Sequence, residues 1–255
     1  MMREFDSLGG TLCSGCSIVV EIPDHGDLYH RIWEELIRLG SEAAPWTLIG
    51  SQMVHLHGWM AGETRPSLSI EADLLANSVR VVTATRLLSE QLMAAGYELT
   101  EKSAMGTGHR FQRDDVAIDV LAPELINLRD RRTYGTLATV SVPGGRQAID
   151  RTISVAVRTR NVEGEVRVPN LLGAILIKAR AVGVSSRPQS QREDFAFLLS
   201  LITSLDQAEG FRAELYGGQR RWLREHGEIS DPSHTCWRHI ANADRGIVAY
   251  RRLTS

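Results

Sequence analysis

The run Ser67–Leu75, SLSIEADLL, alternates with a period of two: Leu68, Ile70, Ala72 and Leu74 are apolar, and Ser67, Ser69, Glu71 and Asp73 are polar. That period belongs to a strand and sends successive side chains to opposite faces, so Glu71 and Asp73 point the same way. Two carboxylates on one face of a strand need either water or a cation beside them. The rest of the chain is read around that requirement.

Upstream, Asp27–Leu39 carries Leu28, Ile32, Leu36 and Leu39 at helical spacing, with Asp27 as cap and Gly40 as stop. Trp46–Ile49 is a short apolar run and predicts a buried strand, and Gly50-Ser51 then predicts a strand-to-helix turn. Met53, Val54, Leu56, His57 and Met60 form the apolar stripe of the next helix, which ends near Gly62. Downstream, Thr83–Gly96 predicts an amphipathic helix, followed by strands at Glu98–Lys102, His109–Gln112 and Val116–Leu121, with Asp114-Asp115 turning between the last two. In the third of these, Val116, Ile118 and Val120 share one face and Ala117, Asp119 and Leu121 the other. Asp119 is thereby expected on the polar face of the sheet, beside Glu71 and Asp73.

Residues 123–150 are rich in loops and carry no clear period. Ile153–Arg158 and Glu165–Val168 predict a strand pair, and Pro169 opens a helix over Asn170–Val182 with Leu171, Leu172, Ile175, Leu176 and Ala179 facing inward. SSRPQSQ reads as a linker, Arg192–Ser204, Gln207–Tyr216 and Gln219–His226 as helices, and GIVAYRRL as a closing strand. A further short strand is expected at Ser17–Ile22. Strands dominate before residue 169 and helices after it. The expected fold is α+β, with a mixed-sheet core over residues 27–168 and a mainly helical C-terminal part over 169–255.

A formal net charge of −2 gives no overall electrostatic pull toward nucleic acid or a membrane surface. No apolar run approaches the ~20 residues that span a bilayer, and MMREFDSLGG has acids but no apolar stretch, so it is not a signal peptide. A cytoplasmic protein without membrane partners is expected. Three cysteines, an odd number, argue against a disulfide framework. Cys13-Ser-Gly-Cys16 has zinc-knuckle spacing, but Cys236, His234 and His239 are its only remote partners. Lysine is scarce: Lys102 and Lys178 are the only two, and the second lies on an apolar helix.

Phosphoryl and nucleotidyl transfer ask the protein for positioning and charge neutralisation rather than covalent chemistry. Two divalent ions about 3.5–4 Å apart clamp the attacking and leaving oxygens, and Mg²⁺ prefers carboxylate oxygens. Carboxylates at i and i+2 of one strand, with a third from a neighbouring strand, supply such a donor set. A Gly-Ser turn at a helix N-terminus supplies N–H groups for phosphate.

The order of apolar strand, Gly-Ser, helix, acid-x-acid strand and later Asp strand resembles the DNA-polymerase-β-like nucleotidyltransferase superfamily. More closely, LIGSQMVHLHG…TRPSLSIEADLL, HRF…AIDVLAP, VPNLLGAILIKARA and QREDFAFLLSL resemble AbiEii-type nucleotidyltransferases, the toxin halves of type IV toxin–antitoxin systems, over roughly residues 30–205. The resemblance implies a polymerase-β-like fold and transfer of a nucleoside monophosphate from an NTP to a hydroxyl on RNA, such as a tRNA 3′ end, or on protein. It also implies Mg²⁺ or Mn²⁺ as cofactor and a cognate antitoxin as partner. Carried over by position, Gly50 and Ser51 hold phosphates, and Glu71, Asp73 and Asp119 bind metal, Asp119 with a general-base role as the alternative. Lys178 contacts the nucleotide, Asp194 orients nearby basic groups, and Arg65 and Arg110 make phosphate or structural contacts. One position departs from the pattern: the first carboxylate is normally Asp, and here it is Glu71. Two other functions stay open on that ground, a catalytically degenerate homologue that binds nucleotide or a partner, and an antibiotic-type small-molecule nucleotidyltransferase.

Each residue also has a structural reading. Glu71 and Asp73 fit a solvated strand face, Ser51 a helix N-cap, and Lys178 an edge lysine with a buried stem. Asp194 fits a first-turn helix charge. His55 and His57 fit packed or surface histidines, since Mg²⁺ does not seek imidazole. Trp222 and Trp237 fit core positions as well as RNA-stacking ones.

Overall fold

The computed structural model describes residues 19–65, 69–100 and 106–255. Cys13, Cys16 and Lys102 lie outside them, as do the start of the strand expected at Ser17–Ile22, the first residues of SLSIEADLL and the end of Glu98–Lys102. The elements in chain order are β1 (Val20–Glu21), α1 (Asp27–Gly40), β2 (Trp46–Ile49), α2 (Gly50–Met60), β3 (Glu71–Ala76), α3 (Ala84–Ala94), β4 (Glu98–Leu99), β5 (Arg110–Arg113) and β6 (Val116–Pro123). There follow β7 (Arg132–Tyr134), β8 (Leu137–Ala138), β9 (Ser141–Val142), α4 (Gly145–Asp150), β10 (Thr152–Arg158) and β11 (Glu163–Pro169). The chain ends in α5 (Leu171–Val182), α6 (Pro188–Ser200), α7 (Leu205–Glu214), α8 (Gly217–Arg224) and α9 (Ala243–Thr254).

This is a mixed α+β fold. The principal sheet has the order β2-β3-β6-β5-β4, with β9 continuing beside the end of β6. Among the described residues, only β3 and β6, and β6 and β9, run parallel within it. A parallel pair requires a crossover, which α3 supplies by packing against both β3 and β6. β10 and β11 form a hairpin that β1 joins as a third strand.

The central strands bury both faces over most of their length, Leu75 and Leu121 closing the acid-bearing face at one end. Ala72, Leu74, Ile118 and Val120 are fully buried on one face, while Glu71, Asp73 and Asp119 occupy the other. α2 is buried on nearly every side, Gln52 to Gly58 without a break, which marks a helix inside the molecule rather than on its surface. Its Gly58 lets the Phe197 ring of α6 approach to about van der Waals distance. One cluster of buried apolar side chains runs from Val20 in β1 to Leu253 in α9, through both the sheet and the C-terminal helices.

Several local expectations are corrected. The acidic strand begins at Glu71, and Ile70 is half exposed. Gly26 takes the N-cap position of α1, and the Asp27 side chain binds Arg160 instead (2.8 Å). Ser51 does not cap α2, because the helix already starts at Gly50 with Ile49 before it. Pro169 closes β11, and the Asn170 side chain caps α5 by accepting from the Gly173 N–H. Within SSRPQSQ, Pro188 starts α6 rather than lying in a linker, and Ser204 caps α7 instead of ending α6. GIVAYRRL is helical, with Ile247, Tyr250 and Leu253 buried at spacings of three.

Candidate functional site

Hydrogen-bond register brings the acids together. β3 pairs with β6 so that Asp73 lies opposite Asp119, and with β2 so that Ile49 lies opposite Asp73. Gly50 follows Ile49 directly. Its φ is +71°, a value L side chains rarely adopt, and a Cβ at this position would overlap Asp73 Oδ2. The glycine therefore does two things: it turns the chain from β2 into α2 and leaves room for the Asp73 carboxylate beside the N-terminus of that helix. The N–H groups of the first turn of α2 have no intrahelical acceptors, which makes this end electropositive.

The three carboxylates are not equivalent. Asp119 is buried at 7% exposure, and its two oxygens accept from Arg110 Nε and Nη2, each at 2.9 Å. This is a bidentate pair, held in place because β5 and β6 set Arg110 opposite Asp119. The same Nη2 donates to Glu71 Oε2 at 3.2 Å, and the Glu71 side chain is about half exposed. Asp73 differs: among the described residues its carboxylate accepts no hydrogen bond and joins no ion pair. Burial, followed by the charge of Asp119, pushes its carboxyl up to about 6, while Lys178 and Arg110 pull in the other direction.

That shift has a sign. The folded-state value lies above the ordinary value of 3.8, so the protonated form favours the fold. The contribution is fully present below about pH 4 and is lost as pH rises through about 6. Asp73→Asn is expected to match wild type in stability at pH 4 and to exceed it by about 2 kcal/mol at pH 7. Urea denaturation of both proteins at the two pH values checks this, and equal stabilities at pH 7 contradict it.

Lys178 and Asp194 lie behind the acids on α5 and α6. Both are buried, at 4% and 0% exposure. Lys178 Nζ donates to Asp194 Oδ2 (2.7 Å) and Gln191 Oε1 (3.0 Å), and Arg65 Nε lies 2.5 Å from Asp194 Oδ1. The charges of Lys178 and Arg65 thus converge on Asp194 in this state of the molecule. Asp194 is correspondingly not a first-turn surface charge: α6 begins six residues earlier, and its carboxylate is the counter-ion of two cations. The partnership with Gln191 was not among the sequence expectations.

His55 and His57 are buried, and burial lowers both to about 4, so they are neutral at physiological pH. His57 Nε2 bonds the Pro169 carbonyl oxygen (2.9 Å), and the His55 ring stacks on Trp59. Trp237 is buried, and the Arg180 guanidinium covers the ring of Trp222. Cys236 is buried, and its N–H donates to His234 Nδ1.

The donor chemistry suits a hard divalent cation. Two aspartates stand in register on adjacent strands, the half-buried Asp73 with no cationic partner among the described residues, and Glu71 shares the guanidinium that holds Asp119. Among the described residues, no group of three or more His, Cys, Asp or Glu side chains is already gathered around one point. The Arg110 fork explains this for Asp119, because it engages both oxygens. Comparison with protein-family models, with curated proteins and with solved structures finds no match for this chain.

Proposed function

We propose that the chain is a nucleotidyltransferase with a polymerase-β-like core, of the AbiEii type. It moves a nucleoside monophosphate from an NTP to a hydroxyl on RNA, such as tRNA, or on protein, and releases pyrophosphate. The observation that carries this reading is the placement of Asp73. A half-buried carboxylate without a cationic partner among the described residues stands opposite Asp119, against a left-handed glycine at the start of a buried helix. A carboxylate drawn partly out of water beside a second carboxylate is costly without a counter-charge, and a site that has to receive a cation gives it a reason to persist.

Asp73 and Asp119 would hold Mg²⁺ or Mn²⁺, with Glu71 completing the set. When bound, the ion supplies neutralisation of the polyphosphate charge for in-line displacement. Gly50 and Ser51 present the electropositive end of α2 to phosphate oxygens. Lys178, Arg65 and Asp194 form the buried support behind that end, and Lys178 acts on Asp73 through space. A cognate antitoxin is the partner this reading implies.

The Arg110 clamp favours a second reading, a homologue that binds nucleotide or a partner without catalysis. Incubation of purified protein with Mg²⁺, each labelled NTP and total tRNA, beside an Asp73→Ala control, separates the two. Transfer is expected with wild type and at least about a hundredfold less with the variant. Absence of transfer with every NTP and acceptor overturns catalysis, and label on an aminoglycoside-type compound instead points to a small-molecule acceptor.

A further inference from the structure

The Arg110 guanidinium bridges carboxylates of two strands from a third. It fills both oxygens of Asp119 and reaches one of Glu71, and it leaves Asp73 as the only member of the acid set without a partner among the described residues. A divalent ion shared by these acids needs oxygens that the guanidinium already holds. A second positive charge a few ångströms away also repels it. We infer that Arg110 is a built-in competitor for the cation position, displaced from Asp119 and Glu71 when a divalent ion enters. This rests on the nucleotidyl-transfer reading, and it names the step by which the closed site opens.

Geometry makes the exchange local. Arg110 is about a quarter exposed, and Glu71, its outer partner, about half, so the head group lies toward the solvent side of the cluster. The buried neighbours in its strand pair, Phe111 and Ile118, lie on the opposite face of the sheet and take no part in the clamp. Lys178 cannot substitute for it as the occupant, because its ammonium is fixed between Asp194 and Gln191. The competing interpretation is structural: Arg110 and Asp119 form a cross-strand pair that simply ties β5 to β6.

Mn²⁺ binding without nucleotide, read as loss of the free-ion electron paramagnetic resonance signal, distinguishes the two. Arg110→Ala is expected to bind Mn²⁺ about tenfold or more tightly than wild type, Arg110→Lys is expected to fall between, and adding Asp73→Asn to Arg110→Ala is expected to remove the gain. A purely structural clamp predicts equal or weaker binding in Arg110→Ala. In the wild type, the Arg110 Nε–H resonance is expected to be slow to exchange with solvent and to become fast as Mg²⁺ saturates the site. This second measurement decides the matter even where the variants fail to fold, and a resonance unchanged at saturation overturns the inference. If wild type binds Mn²⁺ and Arg110→Ala binds no better, the inference alone falls. If neither binds, the metal-dependent reading falls with it.

Discussion

Gly50→Ala is expected to lower folding stability by about 3 kcal/mol and to abolish nucleotidyl transfer at temperatures where wild type is folded. Two costs combine. A non-glycine residue at φ +71° pays about 1–2 kcal/mol of local strain, and a methyl placed against Asp73 Oδ2 adds an overpacking cost of about 1–3 kcal/mol. Relief requires the Asp73 side chain to turn away from Gly50 while its backbone stays paired with β2 on one side and β6 on the other. Gly62→Ala is the control: it has a similar φ of +72°, but a Cβ there meets nothing within 4 Å. It carries the strain without the collision and is expected to cost about 1 kcal/mol. Chemical denaturation of both variants checks the difference, and equal losses would show that the Asp73 carboxylate does not need the space that Gly50 leaves.

How far this site was legible from the sequence depends on the distance over which each relation acts. Period-two patterning placed Glu71 and Asp73 on one face and Asp119 on the matching face of its own strand, because alternation is a local property of extended chain. The Arg110–Asp119 pairing was also within reach. A two-residue turn at Asp114-Asp115 puts Arg113 opposite Val116, and counting outward puts Arg110 opposite Asp119. The residue types alone suggested phosphate contact for Arg110, and the register argues for the carboxylate. By contrast, the Lys178–Asp194–Arg65 cluster joins two helices and a loop far apart in sequence, and no local period encodes it. GIVAY was misjudged as a strand because a five-residue apolar run has no period of its own; burial of Tyr250 and Leu253 along the same face settles it as helix. The limits of α5 and α6 differ from expectation because a proline suits the end of a strand or a linker as well as the first helical turn: Pro169 ends β11, and Pro188 starts α6.

Asp194→Asn is expected to be the most destabilising single-atom change in the helical half, at about 3–5 kcal/mol. The substitution keeps the shape but removes the carboxylate that Lys178 and Arg65 share, leaving the buried Lys178 ammonium facing an amide. Lys178→Met is expected to cost less, about 1–2 kcal/mol, because the aliphatic stem is replaced in kind and Asp194 keeps Arg65. The two variants should part ways in function. Lys178 is one of the groups that hold the Asp73 carboxyl down, so Lys178→Met leaves a folded protein whose Asp73 is harder to ionise at neutral pH. Its transfer activity is expected to fall and to recover partly as pH is raised. Asp194→Asn is expected to lose activity in proportion to its unfolded fraction, whatever the pH. Urea denaturation followed by circular dichroism, together with pH–rate profiles at equal folded fraction, tests both. A Lys178→Met profile parallel to wild type would mean that the lysine serves only to pair Asp194. A stable Asp194→Asn would mean that Gln191 and neighbouring backbone suffice to hold the Lys178 ammonium inside the molecule, which the cost of burying a charge without its counter-ion argues against.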